Sequence, residues 1–523
     1  MRGKLAGRLS LPQMTVPVEA EPVRVDTGLR RKRPPRKAVS RLARPIRRVP
    51  APLAAILVVV AIVGVSWALL VPPWQSPDEG NHFAYAQSLA ERLALPGAGG
   101  HLGWSTDQGI ADAAAQATPN AFHSDQLRFD WNPQDAARYR AEFASNPSRS
   151  NGGGFEGNPP LYYLYVDLAY WARYSGDAFD RLYAMRIWSA ALLLLTTTAA
   201  WLLAGEVLGR RRLPQLACAA CVALIPMQAA IAGSLNPDAL LVALSTVALW
   251  LGARVIMRGA RPADAIALCA VTAAAIVTKA TAYFLVPAVA LALFVGWRRS
   301  DASGRWRRLR VIAVGAIICA APVIGWFVSQ IVRGQTAVNT IGPGASGNNA
   351  SFSIPQFLGY IWQFYLPRLP GMTPFRATSG LPVYDTWIQQ GWGVFGWLEL
   401  AMPSWLYGVL AGACGFVAVA SAAIVGRFRD RIRWSLVAFF ALSVVVLLFG
   451  LHFTEYRSII NGQGPILQGR YILPLSGLFG LAVALILTRL PARWRAPACG
   501  VVLAGMLLVQ VLALATVAQR YYT

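Results

Sequence analysis

The residues best suited to chemistry lie in five short stretches. The first is Pro77-Asp78-Glu79-Gly80-Asn81-His82, just after the first long apolar run. Asp78 and His82 are four residues apart, so on a helix both leave the same face. A carboxylate and an imidazole so placed can take a proton from a hydroxyl. They can also hold a divalent cation such as Mg or Mn, which the chemistry allows but does not require. Ser76, Pro77 and Glu79 fit the N-cap, N1 and N3 positions, which predicts a capping box with Glu79 as its structural partner. Asp78 then faces the site, although either acid can serve as the base. Partial burial at a bilayer boundary raises a carboxylate's pKa towards working pH, which suits that role.

Asn158-Pro-Pro-Leu-Tyr162-Tyr163 opens a stretch carrying six aromatic rings up to Tyr174. It predicts a helix in the membrane interface, with the rings at headgroup level. Alternatively, Asn158 and Tyr162 form the wall of a groove that stacks on sugar. Asn236-Pro237-Asp238 predicts a helix start, with Asn as cap and Pro at N1, and offers two polar side chains to a substrate. Lys279 is the only lysine after residue 37 in a chain with 44 Arg and 4 Lys. It falls at a span end, where an ionisable residue is a functional candidate, and a compact ammonium suits phosphate. Finally, Arg457 lies in His452-Phe-Thr-Glu455-Tyr-Arg457, and Arg470 in Gln468-Gly469-Arg470-Tyr471. Two guanidiniums can clamp a phosphate, with Gly469 letting the backbone approach closely.

The elements that must position these residues are apolar. The chain has 523 residues, 55% hydrophobic and only 14% charged, where soluble proteins are about 25% charged. Hydropathy predicts about eleven spans: 51–71, 183–207, 213–232, 238–256, 263–279, 282–297, 311–331, 402–425, 435–451, 473–488 and 497–517. Residues 1–49, with 14 Lys/Arg and 3 acids, form a basic tail without apolar period, and disorder is expected there. Placing the N-terminus in the cytoplasm puts 33 basic and 7 acidic residues inside, against 15 and 17 outside. That is the positive-inside bias, so the net charge of +24 reflects topology and contact with membrane lipid rather than nucleic acid. The C-terminus is then outside, with outer loops 72–182, 332–401 and 452–472. All four His fall in those loops. The six Cys lie in apolar runs and read as packing residues. The preference for Arg and Ala points to a GC-rich bacterial genome.

Taken in order, Pro77-Asp-Glu…His82-Phe, Asn158-Pro-Pro-Leu-Tyr-Tyr, Asn236-Pro-Asp, Thr278-Lys279 and Gln468-Gly-Arg-Tyr-Ile-Leu-Pro474 resemble a bacterial family of polytopic membrane proteins. That family is a domain of unknown function grouped with the GT-C glycosyltransferases. The resemblance spans roughly residues 50–490. It implies an all-α, GT-C-like fold whose outer-loop helices form a cavity. It also implies a polyprenyl-phosphate-linked sugar donor and an acidic residue of the first outer loop, Asp78 or Glu79, as base or metal ligand. The C-terminal part is expected to be membrane spans rather than a large soluble domain. The expectation is therefore a bacterial inner-membrane glycosyltransferase with Asp78 or Glu79 catalytic. His82, Asn158, Tyr162, Asn236, Asp238, Lys279, Arg457, Gln468, Arg470 and Tyr471 would bind substrate, and the acceptor would be a glycan, lipid or protein. A transporter or flippase of lipid-linked saccharide and a non-catalytic scaffold are the alternatives. A transporter would place ionisable groups near mid-bilayer, whereas here they cluster at span ends.

Overall fold

Apolar runs of 20 or more residues bounded by Pro and Arg become helices because, away from water, only a helix satisfies every backbone group within one segment. The first, α1 (Ala51–Leu70), has Pro in its first turn and 20 residues, enough for about 30 Å of bilayer. In the computed structural model, residues 49–96, 133–145, 157–300, 303–334, 351–372, 381–462 and 464–523 are described, with 150, 154, 374 and 375. Nearly all of the basic tail and parts of the two large loops, including His101 and His123, lie outside the described residues.

After α1 come three helices of the first loop, α2 (Glu79–Arg92), α3 (Pro133–Ser145) and α4 (Leu161–Ala172). A run of apolar helices follows: α5 (Ala178–Val207), α6 (Arg212–Ala223), α7 (Pro226–Ala232), α8 (Asp238–Arg258) and α9 (Pro262–Ile276). A 3-10 turn (Ala280–Phe284) leads into α10 (Leu285–Arg298), then α11 (Arg305–Val332). The second loop holds α12 (Ile354–Tyr365), a π-helix (Tyr384–Gln390) and the strand pair β1 (Val394–Phe395) and β2 (Leu400–Ala401). The chain ends with α13 (Ser404–Arg427), α14 (Trp434–Ile460), a 3-10 turn (Gly469–Leu475) continuing as α15 (Ser476–Arg489), and α16 (Ala492–Tyr522).

Among the described residues, nine helices are long and apolar enough to cross a membrane. The α6–α7 pair, bent by 65° before Pro226, makes a tenth. Helix α9 is an eleventh apolar helix of 15 residues, about 22 Å long. The chain is thus an all-α, multi-pass membrane protein with nine spans among the described residues, or ten with the bent pair, rather than the eleven expected; α9 is too short to cross the roughly 30 Å hydrocarbon layer by itself. Several helices run about five residues beyond the expected spans, and one boundary moves further. The span predicted to stop at 451 runs on to Ile460, so His452, Glu455 and Arg457 stand on helix rather than in a loop.

Packing explains the centre. Lipid offers no hydrophobic drive for helix association, so small residues that allow close approach favour it. Helix α6 reads Ala217-Cys-Ala-Ala-Cys221 and is buried throughout that stretch. Helix α15 crosses it so closely that a Cβ on Gly480 would sit 2.6 Å from the Cys218 carbonyl oxygen. Helix α5 packs along α1, α6 and α8. The end of α1, the start of α8, the end of α9 and the 3-10 turn before α15 meet at one end of this bundle.

Candidate functional site

The site begins where α1 runs into Pro72-Pro73 and can no longer continue helical hydrogen bonding. Carbonyls in and just past the last turn of α1 are met by Arg186 of α5, which donates to the Ala68 (3.3 Å), Val71 (2.5 Å) and Pro72 (3.0 Å) oxygens. The same guanidinium holds Glu79 bidentately at 2.8 and 2.5 Å, and both side chains have 0% exposure. Glu79 also accepts the Trp74 and Leu235 amides, each at 3.1 Å. Both carboxylate oxygens are therefore taken up in joining α1, α2, α5 and the α7–α8 turn.

The predicted capping box does not form. Helix α2 starts at Glu79 itself, and Asp78 stands at its cap with φ 63° and no side-chain cap bond. The Glu79 carboxylate cannot close such a box because Arg186 and the two amides hold it. The left-handed backbone of Asp78 costs about 1–2 kcal/mol, against which the neighbouring Glu79 network acts. The result turns the Asp78 side chain away from the network, 31% exposed, onto Arg470 Nη2 at 2.8 Å.

From Arg470 the ion pairs continue. Its Nε is 3.7 Å from Asp238 Oδ2, and Asp238 Oδ1 accepts from Lys279 Nζ at 2.6 Å. The Tyr471 ring lies under both cations, 5.0 Å from Lys279 Nζ and 5.5 Å from the Arg470 guanidinium carbon. Asp78 and Lys279, 201 positions apart in sequence, thus belong to one chain of contacts. Asn236 acts locally, its Oδ1 accepting the Asp238 amide at 2.9 Å, as an Asx turn does at a helix start. The Asn236 amide in turn donates to the Tyr162 hydroxyl at 2.8 Å.

Helix α4 lines the other flank. Its Tyr162, Tyr163 and Tyr170 are buried, while Leu164, Leu168 and Trp171 are exposed. Of the rings expected at headgroup level, Tyr162, Tyr163 and Tyr170 instead face inward, where their hydroxyls have protein partners. Tyr163 bonds His82 Nδ1 at 2.8 Å and receives the Asn158 amide at 3.0 Å, and its ring stacks on Tyr85 at 3.7 Å.

Electrostatics separates the acids. Burial acts to raise the Asp78 pKa, but Arg470, His82 and Lys279 together hold it below the usual carboxylate range. Burial pushes His82 down to about 3 despite the opposing charge of Asp78, so its ring is neutral at pH 7. Asp167 on α4, which the sequence did not single out, is raised by burial to about 8. Its Oδ1 has no hydrogen-bond partner among the described residues.

Beside the ion chain is a cleft of about 490 Å³, open solvent included, with Ser76 and Pro77 among its lining. Its walls are mainly apolar, with Trp67, Val71, Ile231 and Phe395, and its polar side carries Gln390, Gln468 and Arg470. Arg470 is only 6% exposed, yet its Nε and Nη1 have no hydrogen-bond partner among the described residues, nor has Gln468 Oε1. Unpaired buried donors of this kind are costly unless a ligand or water meets them. Gly469 is essential to the placement of Arg470, because a Cβ there would fall 2.2 Å from the Thr386 carbonyl oxygen. The Gly469 amide donates to Gln390 Oε1 at 3.1 Å. Gln390 ends the π-helix, a rare element that is frequent at functional sites.

Arg457 does not belong to the Asp78–Arg470–Asp238–Lys279 chain. It is half-buried near the end of α14, where Glu455 receives the Ile466 and Leu467 amides. Asp78 and His82, the pair expected to be able to hold a divalent cation, both have protein partners. Arg470 already neutralises Asp78 and Tyr163 engages His82 Nδ1, while among the described residues no three His, Cys, Asp or Glu gather as ligands.

The family described as "Predicted membrane protein (DUF2142)" matches residues 61–479. No match is found among curated proteins. Among solved structures, the chain is similar to ArnT from Cupriavidus metallidurans in the apo state, at 15% identity and TM-score 0.48, over 92% of this chain and 78% of that one. For ArnT bound to undecaprenyl phosphate the values are 15%, 0.47, 90% and 76%. For the Archaeoglobus fulgidus oligosaccharyltransferase AglB in complex with an inhibitory peptide and a dolichol-phosphate they are 13%, 0.45, 89% and 56%. The chain thus spans little more than half of AglB.

Proposed function

The chain belongs to the DUF2142 family of membrane proteins, and on that premise we propose that it is a GT-C-type glycosyltransferase of the bacterial inner membrane. It would move a sugar from a polyprenyl-phosphate donor to a glycan, lipid or protein acceptor on the outer face, with the N-terminus inside and the C-terminus outside. One observation carries the reading. A partly exposed carboxylate, Asp78, sits 2.8 Å from a buried guanidinium that has unused donors beside a largely apolar cleft. That combination suits an amphipathic donor with an anionic head.

In the proposed reaction Asp78 accepts the acceptor hydroxyl's proton. The hydroxyl oxygen attacks the anomeric carbon, and the carbon–oxygen bond to phosphate breaks with inversion. The electron pair leaves on the polyprenyl phosphate, whose charge Arg470 and Lys279 stabilise. Glu79 takes no part, because Arg186 and two amides saturate it. No step is routed through a metal.

The test is transfer by the purified full chain in proteoliposomes, using a panel of polyprenyl-phosphate sugars. Donor-dependent glycosylation that Asp78→Asn removes supports the proposal. Absence of transfer across the panel, with bound polyprenyl phosphate undetectable, would reject it. Leu93, 90% exposed after α2, tests the side: a cysteine there should label in intact cells with an impermeant maleimide.

A further inference from the structure

Helix α12 has 12 residues, about 18 Å, too short to span the roughly 30 Å hydrocarbon layer. At about 100° per residue its side chains fall on three faces. Phe357, Tyr360 and Phe364 are buried. They pack on α14: the Phe357 and Tyr456 rings are 5.4 Å apart, and the Tyr360 hydroxyl lies 2.9 Å from His452 Nδ1. Tyr365 approaches the other nitrogen of the same ring at 2.8 Å, so His452 fastens two points of α12 to the span. A second face carries Gln356, Gly359 and Gln363.

The third face is apolar and uncovered. Ile354, Leu358, Trp362 and, just past the helix, Leu366 recur every four residues, with exposures of 64, 61, 39 and 44%. A single exposed apolar residue is ordinary, but a contiguous stripe calls for a partner. The Trp362 indole N–H is already bonded to the Pro367 oxygen at 3.0 Å, so its outward surface is apolar.

We propose that α12 lies in the plane of the membrane boundary, with this stripe against lipid acyl chains and the amide face towards water. Continuity with the lipid-facing surface identifies the occupant. Phe352, two residues before the helix, packs on Phe453 of α14 at 5.6 Å, and Phe453 stacks on Phe449 at 6.1 Å. Phe449 and Phe453, exposed by 58 and 39%, belong to the outer surface of a 27-residue span. Apolar and amide stripes on different sides, with the protein-facing stripe beside them, is the arrangement of a helix at an apolar–aqueous boundary. This inference does not depend on the glycosyltransferase reading.

The test uses the full chain in phosphatidylcholine–phosphatidylglycerol liposomes, with Cys269, Cys319 and Cys414 changed to Ala. A nitroxide is placed at Leu358→Cys, Trp362→Cys or Gln356→Cys, all exposed positions. Collision with oxygen should exceed collision with a water-soluble nickel chelate at 358 and 362, and the order should invert at 356. The expected depth is about 5–10 Å. Equal nickel access at all three positions would overturn the proposal. Shielding of 358 and 362 from both agents would also overturn it, since the face would then be covered by protein; dipolar broadening between labels would identify a second copy.

Discussion

Adjacent residues in this chain make two arginine–carboxylate pairs of opposite character. Glu79 and Arg186 have 0% exposure, and five hydrogen bonds beyond their own contact involve the two side chains. Asp78 and Arg470 share one contact, Asp78 is 31% exposed, and Arg470 keeps two nitrogens without hydrogen-bond partners among the described residues. The first pair is closed and holds four elements together. In the second, Arg470 lines a cleft and Asp78 is partly exposed. The comparison teaches that a buried ion pair by itself says little about function; what matters is whether its hydrogen-bonding capacity is used up.

The sharpest test contrasts the two acids. Asp78→Asn should lower transfer by about 10²–10⁴-fold, the usual worth of a general base, with thermal unfolding in detergent little changed. Glu79→Gln should act through stability instead, because it leaves Arg186 buried without its counter-charge. Arg186→Met should do the same from the other side, and each should cost about 3–5 kcal/mol, read as a lowered Tm. Full transfer by Asp78→Asn in a folded protein would collapse the distinction.

A smaller effect is expected at Lys279. Lys279→Ala removes a charged hydrogen bond worth about 1.5–3 kcal/mol and should weaken donor use by on the order of tenfold or more. Lys279→Arg should restore part of it. Equal donor dependence in all three proteins would remove Lys279 from the site.

A further contrast lies in the pH dependence of stability. Folding raises the Asp167 pKa to about 8, so the native state holds a proton that the unfolded chain has released. Stability from this residue therefore falls as pH rises from about 4 to 8, and Asp167→Asn should flatten that limb. His82 is depressed to about 3, so stability falls as pH drops below about 6.5, the unfolded value. His82→Gln should flatten the acid limb. Unchanged Tm–pH curves in both variants would contradict these assignments.

Much of the fold was legible because a bilayer fixes the length of an apolar helix. The four ion-chain residues were legible for a related reason: charges at the ends of apolar runs stand out. Arg186 was missed although it carried the same signal, since it falls in Met185-Arg186-Ile187 within a predicted span and was read as part of the run. The role of Glu79 was misjudged for that reason, because its cap geometry looked sufficient without a partner 107 residues away. Gln390 and the π-helix had no readable signal, because a single widened turn leaves no periodicity. The two exposed stripes of α12 were hidden within what read only as a loop.

The Asp78–Arg470–Asp238–Lys279 chain contains two acids and two bases, so at neutral pH its charges cancel. An arriving phosphate is therefore not drawn to a bare positive patch. It would meet Arg470 through the nitrogens that have no hydrogen-bond partner among the described residues, and sharing the guanidinium would loosen the hold on Asp78 of the cation that suppresses its basicity. For the proposed transfer this sets an order, donor before acceptor, because the base becomes competent only once the donor's phosphate shares its partner. It also gives Asp78→Asn a second signature. Undecaprenyl phosphate should bind the variant more tightly than the parent, even as transfer is lost.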